Sequence, residues 1–409
     1  MPPTVSPAAP TPSRTGRRRV PAARGPRGRG GGDGPRLIGA TARAAFARAA
    51  PALLGHLAVR LLGLAVLARW AHLQHHGVWT TLATSWDSVW YLGIADHGYD
   101  HELGTRPYHN NLAFFPLYPA VVKAVAAVTP GSRASVGLVV AVLCSSAAAW
   151  GVFAVGDRLY GRRAGTVLTV LWGALPVAVV QWMGYTESLF TALAAWSLYC
   201  VLTGRWVAAG ALASLAGLTR PTGIAVAAAV VAAALAALWR GGPARDPLTG
   251  ALLAPLGWFG FVAWVGARLG RWDGYFAVQR LWKNEWDGGA DTLRELRALL
   301  VYDRSPALFL VVVSLVLILT GFLFLLCLAD RQPPALLIFS GVLLLVVLGS
   351  GGVYFPRARF LLPGFPLLLP LAVALSRARR HVAVLLLGAA ALSSAWLGAY
   401  MLLVWPGAP

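Results

Sequence analysis

The chain has 409 residues, of which 57% are hydrophobic and 12% charged, against about 25% charged in an ordinary soluble domain. Its formal net charge of +20 is almost all arginine, since Lys occurs only at Lys123 and Lys283. Apolar runs of about 20 residues recur, each long enough to cross a bilayer, which predicts an all-α polytopic membrane protein and excludes a soluble enzyme. An outer-membrane barrel is excluded because its alternating strand pattern is missing. Nucleic acid is a poor partner for this charge, because the basic residues sit in the amino-terminal tail and in short loops, as the positive-inside rule requires. Cys144, Cys200 and Cys327 are scattered through apolar runs and suggest neither a disulfide framework nor a metal site.

Residues 1–48 are Pro, Gly, Ala and Arg with few large apolar side chains. Such a segment cannot offset its ordering entropy, and a disordered basic cytoplasmic tail is expected, with residues 49–409 forming the transmembrane domain. Arg17-Arg18-Arg19 is not followed promptly by an apolar stretch, so it reads as a basic tail beside anionic lipid rather than an export signal. A first span over about Ala52–Trp70 puts the loop from about Ala71 to Ser132 outside. That loop carries Ser85-Trp86-Asp87-Ser88-Val89-Trp90-Tyr91 and, further on, Asp96, Gly98 and Tyr99. In a helix Trp90, Tyr91 and Ile94 share the face of Asp87, whereas Asp96 lies about half a turn away. Gly98 suits the helix end. A capping Asp in an interfacial aromatic belt accounts for the same pattern. Pro116 and Pro119, among Phe114, Phe115, Leu117 and Tyr118, predict an interfacial segment rather than a straight span.

Further spans are expected over about 136–155, 164–180, 187–203, 206–217, 223–240, 248–267, 307–328, 334–348, 364–376 and 382–405, about eleven in all. Glu187 opens one of them, as a helix cap or as a substrate ligand. Arg220, in Leu218-Thr219-Arg220-Pro221, falls on the outer side against the charge trend, either in a structural ion pair or in a site. The loop 268–305 interleaves Gln279, Arg280, Trp282, Lys283 and Asn284, which fits a lipid-linked phosphate and sugar or a plain interfacial helix. Arg357 and Arg359 again lie outside.

Taken together, Trp86-Asp87-Ser88-Val89-Trp90-Tyr91, Ala113-Phe114-Phe115-Pro116-Leu117-Tyr118-Pro119, Tyr185-Thr186-Glu187-Ser188-Leu189-Phe190, Leu218-Thr219-Arg220-Pro221, Gln279–Trp282, Arg359-Phe360 and Pro363 closely resemble the PIG-V-type mannosyltransferases, over about Leu53–Leu375. That family belongs to the GT-C class of multispanning glycosyltransferases, which take a sugar from a polyprenyl or dolichyl phosphate and place an essential acidic residue in the first outer loop. With the spans counted above, the expected fold is a GT-C-type bundle of about eleven transmembrane helices with a large first outer loop containing interfacial helices, and the resemblance implies inverting transfer of a hexose, mannose by the family, to an acceptor hydroxyl outside the membrane. It implies Asp87 as general base. Arg220, Arg280, Lys283, Arg357 and Arg359 become candidates for the leaving phosphate, and Trp86, Trp90 and Tyr91 for the sugar or the lipid approach. Asp96, Glu187 and Gln279 are further substrate-binding candidates. Trp86-Asp87-Ser88 carries one carboxylate where metal-dependent relatives carry two, so no metal or cofactor is expected. The implied partners are the lipid-linked donor, a glycolipid or glycan acceptor and the bilayer, with room for an accessory membrane subunit. The amino terminus is expected in the cytoplasm and the site outside. A flippase for a lipid-linked sugar, or a related enzyme using another sugar or a protein acceptor, would present a similar mouth.

Overall fold

The computed structural model describes the backbone from Gly34 to Pro409 and side chains from Arg43. The expected tail, residues 1–48, lies outside the described residues up to residue 33; from Gly34 the backbone is helical, and α1 runs Gly34–Leu73. Residues from Phe46 onward form one packed unit, and no strand occurs among the described residues.

The first loop folds into short helices: α2 (Val78–Ala83), α3 (Asp87–His97), a 3-10 turn at Asn111–Ala113, and α4 (Leu117–Ala126). α3 ends at Gly98, whose φ of +82° only glycine adopts freely. Pro119 falls in the first turn of α4, where backbone N–H groups have no helical partner to lose. With 10 residues, α4 is about 15 Å long and does not span.

Next come α5 (Arg133–Tyr160), α6 (Arg162–Gly173), α7 (Glu187–Leu202), α8 (Trp206–Gly217), α9 (Gly223–Trp239) and α10 (Arg245–Leu253), which runs on into α11 (Leu256–Arg268). The loop after α11 carries α12 (Gly274–Leu281) and α13 (Ala290–Arg297). Finally α14 (Leu308–Ala329), α15 (Pro334–Gly349), the single turn α16 (Arg357–Phe360), α17 (Leu369–Arg377) and α18 (Arg380–Leu403) complete the fold. Among the described residues five helices are long and apolar enough to cross a membrane: Arg43–Leu73, Arg133–Tyr160, Arg245–Arg268, Leu308–Ala329 and Arg380–Leu403. Each of the other expected spans coincides with a shorter helix, from the 17 residues of α9 down to the 9 of α17.

One shortening has a clear cause. The span expected over 164–180 stops at Gly173 and resumes as a 3-10 turn, Ala178–Trp182, on either side of Pro176. The break frees backbone carbonyls inside the bundle, where leaving them unpaired would be costly. Arg60 of α1, 4% exposed, donates to the carbonyls of Ala178 and Gly173. An arginine that interrupts an apolar run thus caps a broken neighbour.

The helices alternate in direction, so chain order sorts the loops into two ends. One end holds α2–α4, α12, α13 and α16, and there Arg133 at the start of α5 pairs with Asp96. The other end holds Asp157, which accepts two hydrogen bonds of 2.6 Å from Arg48. All described carboxylates except Asp157, Asp246 and Asp330 lie at the first end. The second end is strongly basic, with Arg158, Arg162, Arg163, Arg240, Arg245, Arg377, Arg379 and Arg380.

Candidate active site

Asp87 is the first residue of α3 and Trp86 precedes it with φ +50°. A bulky L residue rarely adopts that conformation, so backbone strain sits directly beside the carboxylate. Asp87 Oδ2 accepts a 2.6 Å hydrogen bond from Nη2 of Arg359, and its own backbone N–H points at the Tyr185 hydroxyl 3.4 Å away. Oδ1 accepts no hydrogen bond among the described residues.

Arg359 is 4% exposed and lies between two rings, 5.0 Å from the centre of Tyr185 and 5.2 Å from that of Phe360. Arg220 approaches the same Phe360 ring at 5.1 Å. Between the two guanidinium groups is Glu187, 1% exposed, with Oε1 2.6 Å from Arg220 Nη1 and 3.8 Å from Arg359 Nε. Arg220 Nη1 aims its hydrogen bond at Thr186 Oγ1, 3.1 Å away, so its contact with Glu187 is an ion pair without an aligned hydrogen bond. Charges therefore alternate along a row that runs from the part-exposed Asp87 through the buried Arg359, Glu187 and Arg220. Two guanidinium groups stacked on one ring would repel each other strongly in a low-dielectric interior, and the carboxylates offset this.

The row forms one wall of a cavity of about 640 Å³. Its polar part is lined by Asp87, Tyr91, Tyr108, Thr219, Arg220, Gln279, Lys283, Asn284, Arg359 and a second carboxylate, Glu295 of α13. An apolar part is formed by Leu310 near the start of α14, by Val353 and Phe355, and by Trp405 just beyond α18. Trp405 packs on Phe309 at 5.2 Å and on Phe355 at 6.1 Å. The cavity thus runs from a charged floor to the ends of two membrane-crossing helices.

Of the catalytic and substrate-binding candidates, Asp87, Tyr91, Arg220, Gln279, Lys283 and Arg359 line this cavity, as do Phe114, Trp282, Asn284 and Phe360 of the motifs around them, whereas Trp86, Trp90, Asp96, Glu187, Arg280 and Arg357 do not. Asp96 is turned away on α3 and pairs with Arg133, as half a helical turn from Asp87 requires. Trp86 packs against the main core. Trp90 stacks on Phe114 at 5.6 Å and meets Trp282 edge-on at 5.3 Å, backing the wall rather than lining it. Glu187, 1% exposed, lies against both arginines and is not among the residues that line the cavity. Arg280 turns outward to Asp273 at 2.7 Å. The hydrogen bonds of Arg271 and then Arg280 pull the Asp273 carboxyl down to about 2. Arg357 binds Thr292 Oγ1, the Ser350 carbonyl at 2.8 Å and Asp291 at 3.4 Å.

Sequence reasoning gave no role to Tyr185 and Phe360, which sandwich Arg359, to Thr186, which joins Tyr91 to Arg220, or to Tyr108 and Trp405. Tyr185 and Phe360 did carry a signal, since each is next but one or next to a buried charge in a short turn. Nothing local marks Trp405, which enters the cavity only through the packing of α18.

No family model matches the sequence, and no curated protein does. Solved structures do share the fold. The archaeal oligosaccharyltransferase AglB from Archaeoglobus fulgidus, in complex with an inhibitory peptide and a dolichol-phosphate, superimposes with a TM-score of 0.52 at 16% identity. That alignment covers 87% of this chain and 56% of the other. The apo form of the Archaeoglobus fulgidus oligosaccharyltransferase gives 0.50 at 14% identity with the same coverage. The chain therefore spans little more than half the length of these structures. At such identities the likeness establishes the architecture: this chain is an all-α membrane protein with the GT-C-type fold.

Proposed function

We propose that the chain is a membrane glycosyltransferase that moves a hexose, mannose by resemblance, from a polyprenyl phosphate to an acceptor hydroxyl with inversion. The observation that carries this is one cavity holding an aspartate with a free carboxylate oxygen, two buried guanidinium groups, and an apolar wall at the ends of two spans. Such a cavity suits an amphiphile with a charged head. A soluble nucleotide sugar would not need the apolar wall.

In the reaction Asp87 Oδ1 accepts the proton of the acceptor hydroxyl while the oxygen attacks the anomeric carbon. The bond from that carbon to the phosphate oxygen breaks, and its electron pair leaves with the phosphate. Arg359 fixes the carboxylate through Oδ2, so the other oxygen is the one available. Proton transfer of this kind contributes about 10²–10⁴-fold, and cationic groups facing the developing phosphate charge contribute further. The proposed step uses only the chain's own groups: Asp87 is held by an arginine, and among the described residues no three His, Cys, Asp or Glu side chains gather. The basic end is read as cytoplasmic, which puts the cavity on the extracytoplasmic side.

Purified protein incubated with labelled polyprenyl-phosphate-mannose and lipid extract is expected to move label to a new acceptor. Asp87→Asn is expected to lower that rate at least 10²-fold while the protein still inserts in membranes. Retention of most of the rate in Asp87→Asn would remove Asp87 as the base. Label that only crosses the bilayer would show transport instead.

A further inference from the structure

The cations around the cavity are not equivalent. Arg220 is neutralised by Glu187, and Arg359 by Asp87. Arg280 is taken by Asp273, and Arg357 by Asp291. Lys283 also lines the cavity, and among the described residues no carboxylate lies within ion-pair distance of its ammonium. Its Nζ lies 5.8 Å from the centre of the Tyr108 ring, which leaves its three donors unclaimed by side-chain oxygen.

The backbone points the same way. Lys283 follows α12 with φ +55°. Asn284 N donates to Gln279 O at 2.9 Å and Lys283 N to Arg280 O at 2.9 Å. This is the helix-ending motif whose left-handed position normally takes glycine. A chain with only two lysines spends one of them where glycine would be easier. The conformation is held from outside: Gly351 N donates to Glu285 O at 2.6 Å, Asp287 N to Gly349 O at 3.1 Å, and a side chain at Gly352 would run into the Lys283 carbonyl. The segment after α12 is therefore stitched to the segment after α15, and the lysine cannot swing away with its loop.

We propose that Lys283 is the anchoring cation for the phosphate group of the ligand, while Arg220 and Arg359, already paired, shape the floor beneath it. The identification of that phosphate with a lipid headgroup rests on the glycosyltransferase reading; the chemistry shared with free phosphate is an oxyanion that an unpaired ammonium can hold as a point charge.

The test is direct binding to purified full-length protein in detergent, using a short polyprenyl phosphate, the matching polyprenol and inorganic phosphate. Lys283→Ala is expected to weaken polyprenyl phosphate binding about tenfold or more, the usual range for a lost charged hydrogen bond. Lys283→Arg is expected to restore most of it, and polyprenol binding to stay unchanged. Loss confined to polyprenyl phosphate supports a lipid headgroup as the source, and parallel loss of inorganic phosphate supports the same anion site with free phosphate as the source. Wild-type affinity for both anions in Lys283→Ala, or equal loss of the neutral polyprenol, would overturn the proposal. Lys283 is exposed, so its truncation leaves the packed interior intact, and an unchanged thermal midpoint checks this. The binding measurement needs no turnover, so absence of transfer by the wild-type protein would sink the glycosyltransferase reading without deciding the role of Lys283.

Discussion

Neighbouring charged residues in this chain divide sharply between site and scaffold, and helix geometry is the reason. Arg357 and Arg359 are two residues apart on the single turn α16, about 200° around the axis, so only Arg359 reaches Asp87 while Arg357 is sent to Asp291. Gln279 and Arg280 part in the same way on α12. The sequence marked the right short motifs but could not say which member of each pair faces inward, because the facing is set by long-range packing. Glu187 shows a second limit. Its position opening α7 suggested a cap or a ligand, yet its contacts are with arginines brought from residues 220 and 359. Glu187→Gln removes the charge that offsets two buried cations and is expected to cost about 3 kcal/mol, read as a lowered thermal midpoint. Glu187→Asp should recover part of it. At Asp273 the folded carboxyl lies below its ordinary 3.8, at about 2. Its contribution is therefore complete above about 3.8 and lost as pH falls through about 2. Hydrogen exchange over residues 271–281 should accelerate in that window, and Asp273→Asn should flatten the change.

At the scale of elements, each of the five described helices long and apolar enough to cross a membrane falls on an expected span, but the other six expected spans fall on shorter or interrupted helices. Apolar composition reports burial in lipid or protein alike, so a helix broken at Pro176 and repaired by Arg60 reads as one continuous run. The close approach of α8 to α10 and α11 was equally hidden, although its cause is in the sequence. Gly210 faces the backbone of Gly250, and Gly257 faces the Ser214 carbonyl. These contacts leave no room for a Cβ at Gly210, Gly250 or Gly257, in keeping with small-residue packing between membrane helices. Because Arg220 follows directly on α8, this packing also sets the height of the cavity floor. Gly257→Ala must push the two helices apart, at an expected cost of about 1–3 kcal/mol. The expected outcome is a lower unfolding midpoint together with weaker donor use, since Arg220 moves with α8. A variant that unfolds at the wild-type temperature would show that the contact is slack.

For the whole molecule, the informative quantity is the sorting of charge between the two ends. Chain order alone placed Asp87, Arg220 and Arg359 on one side, and their direct contacts agree with that placement. The compartment each side faces is a separate matter, since it depends on the membrane rather than on contacts within the chain. The site end carries almost all the described carboxylates, whereas the opposite end is nearly unrelieved arginine. Short basic loops resist translocation, so the opposite end should stay in the cytoplasm. Single cysteines introduced at Val128 and Gly242 sample the two ends at exposed positions, one between α4 and α5 and the other between α9 and α10. The native cysteines make a quiet background: Cys200 and Cys327 are buried and Cys144 is half-buried. In intact cells an impermeant maleimide is expected to label Val128→Cys and to spare Gly242→Cys until the membrane is opened. The reverse pattern would put Asp87 in the cytoplasm, and transfer would then have to draw on donors presented at the inner leaflet.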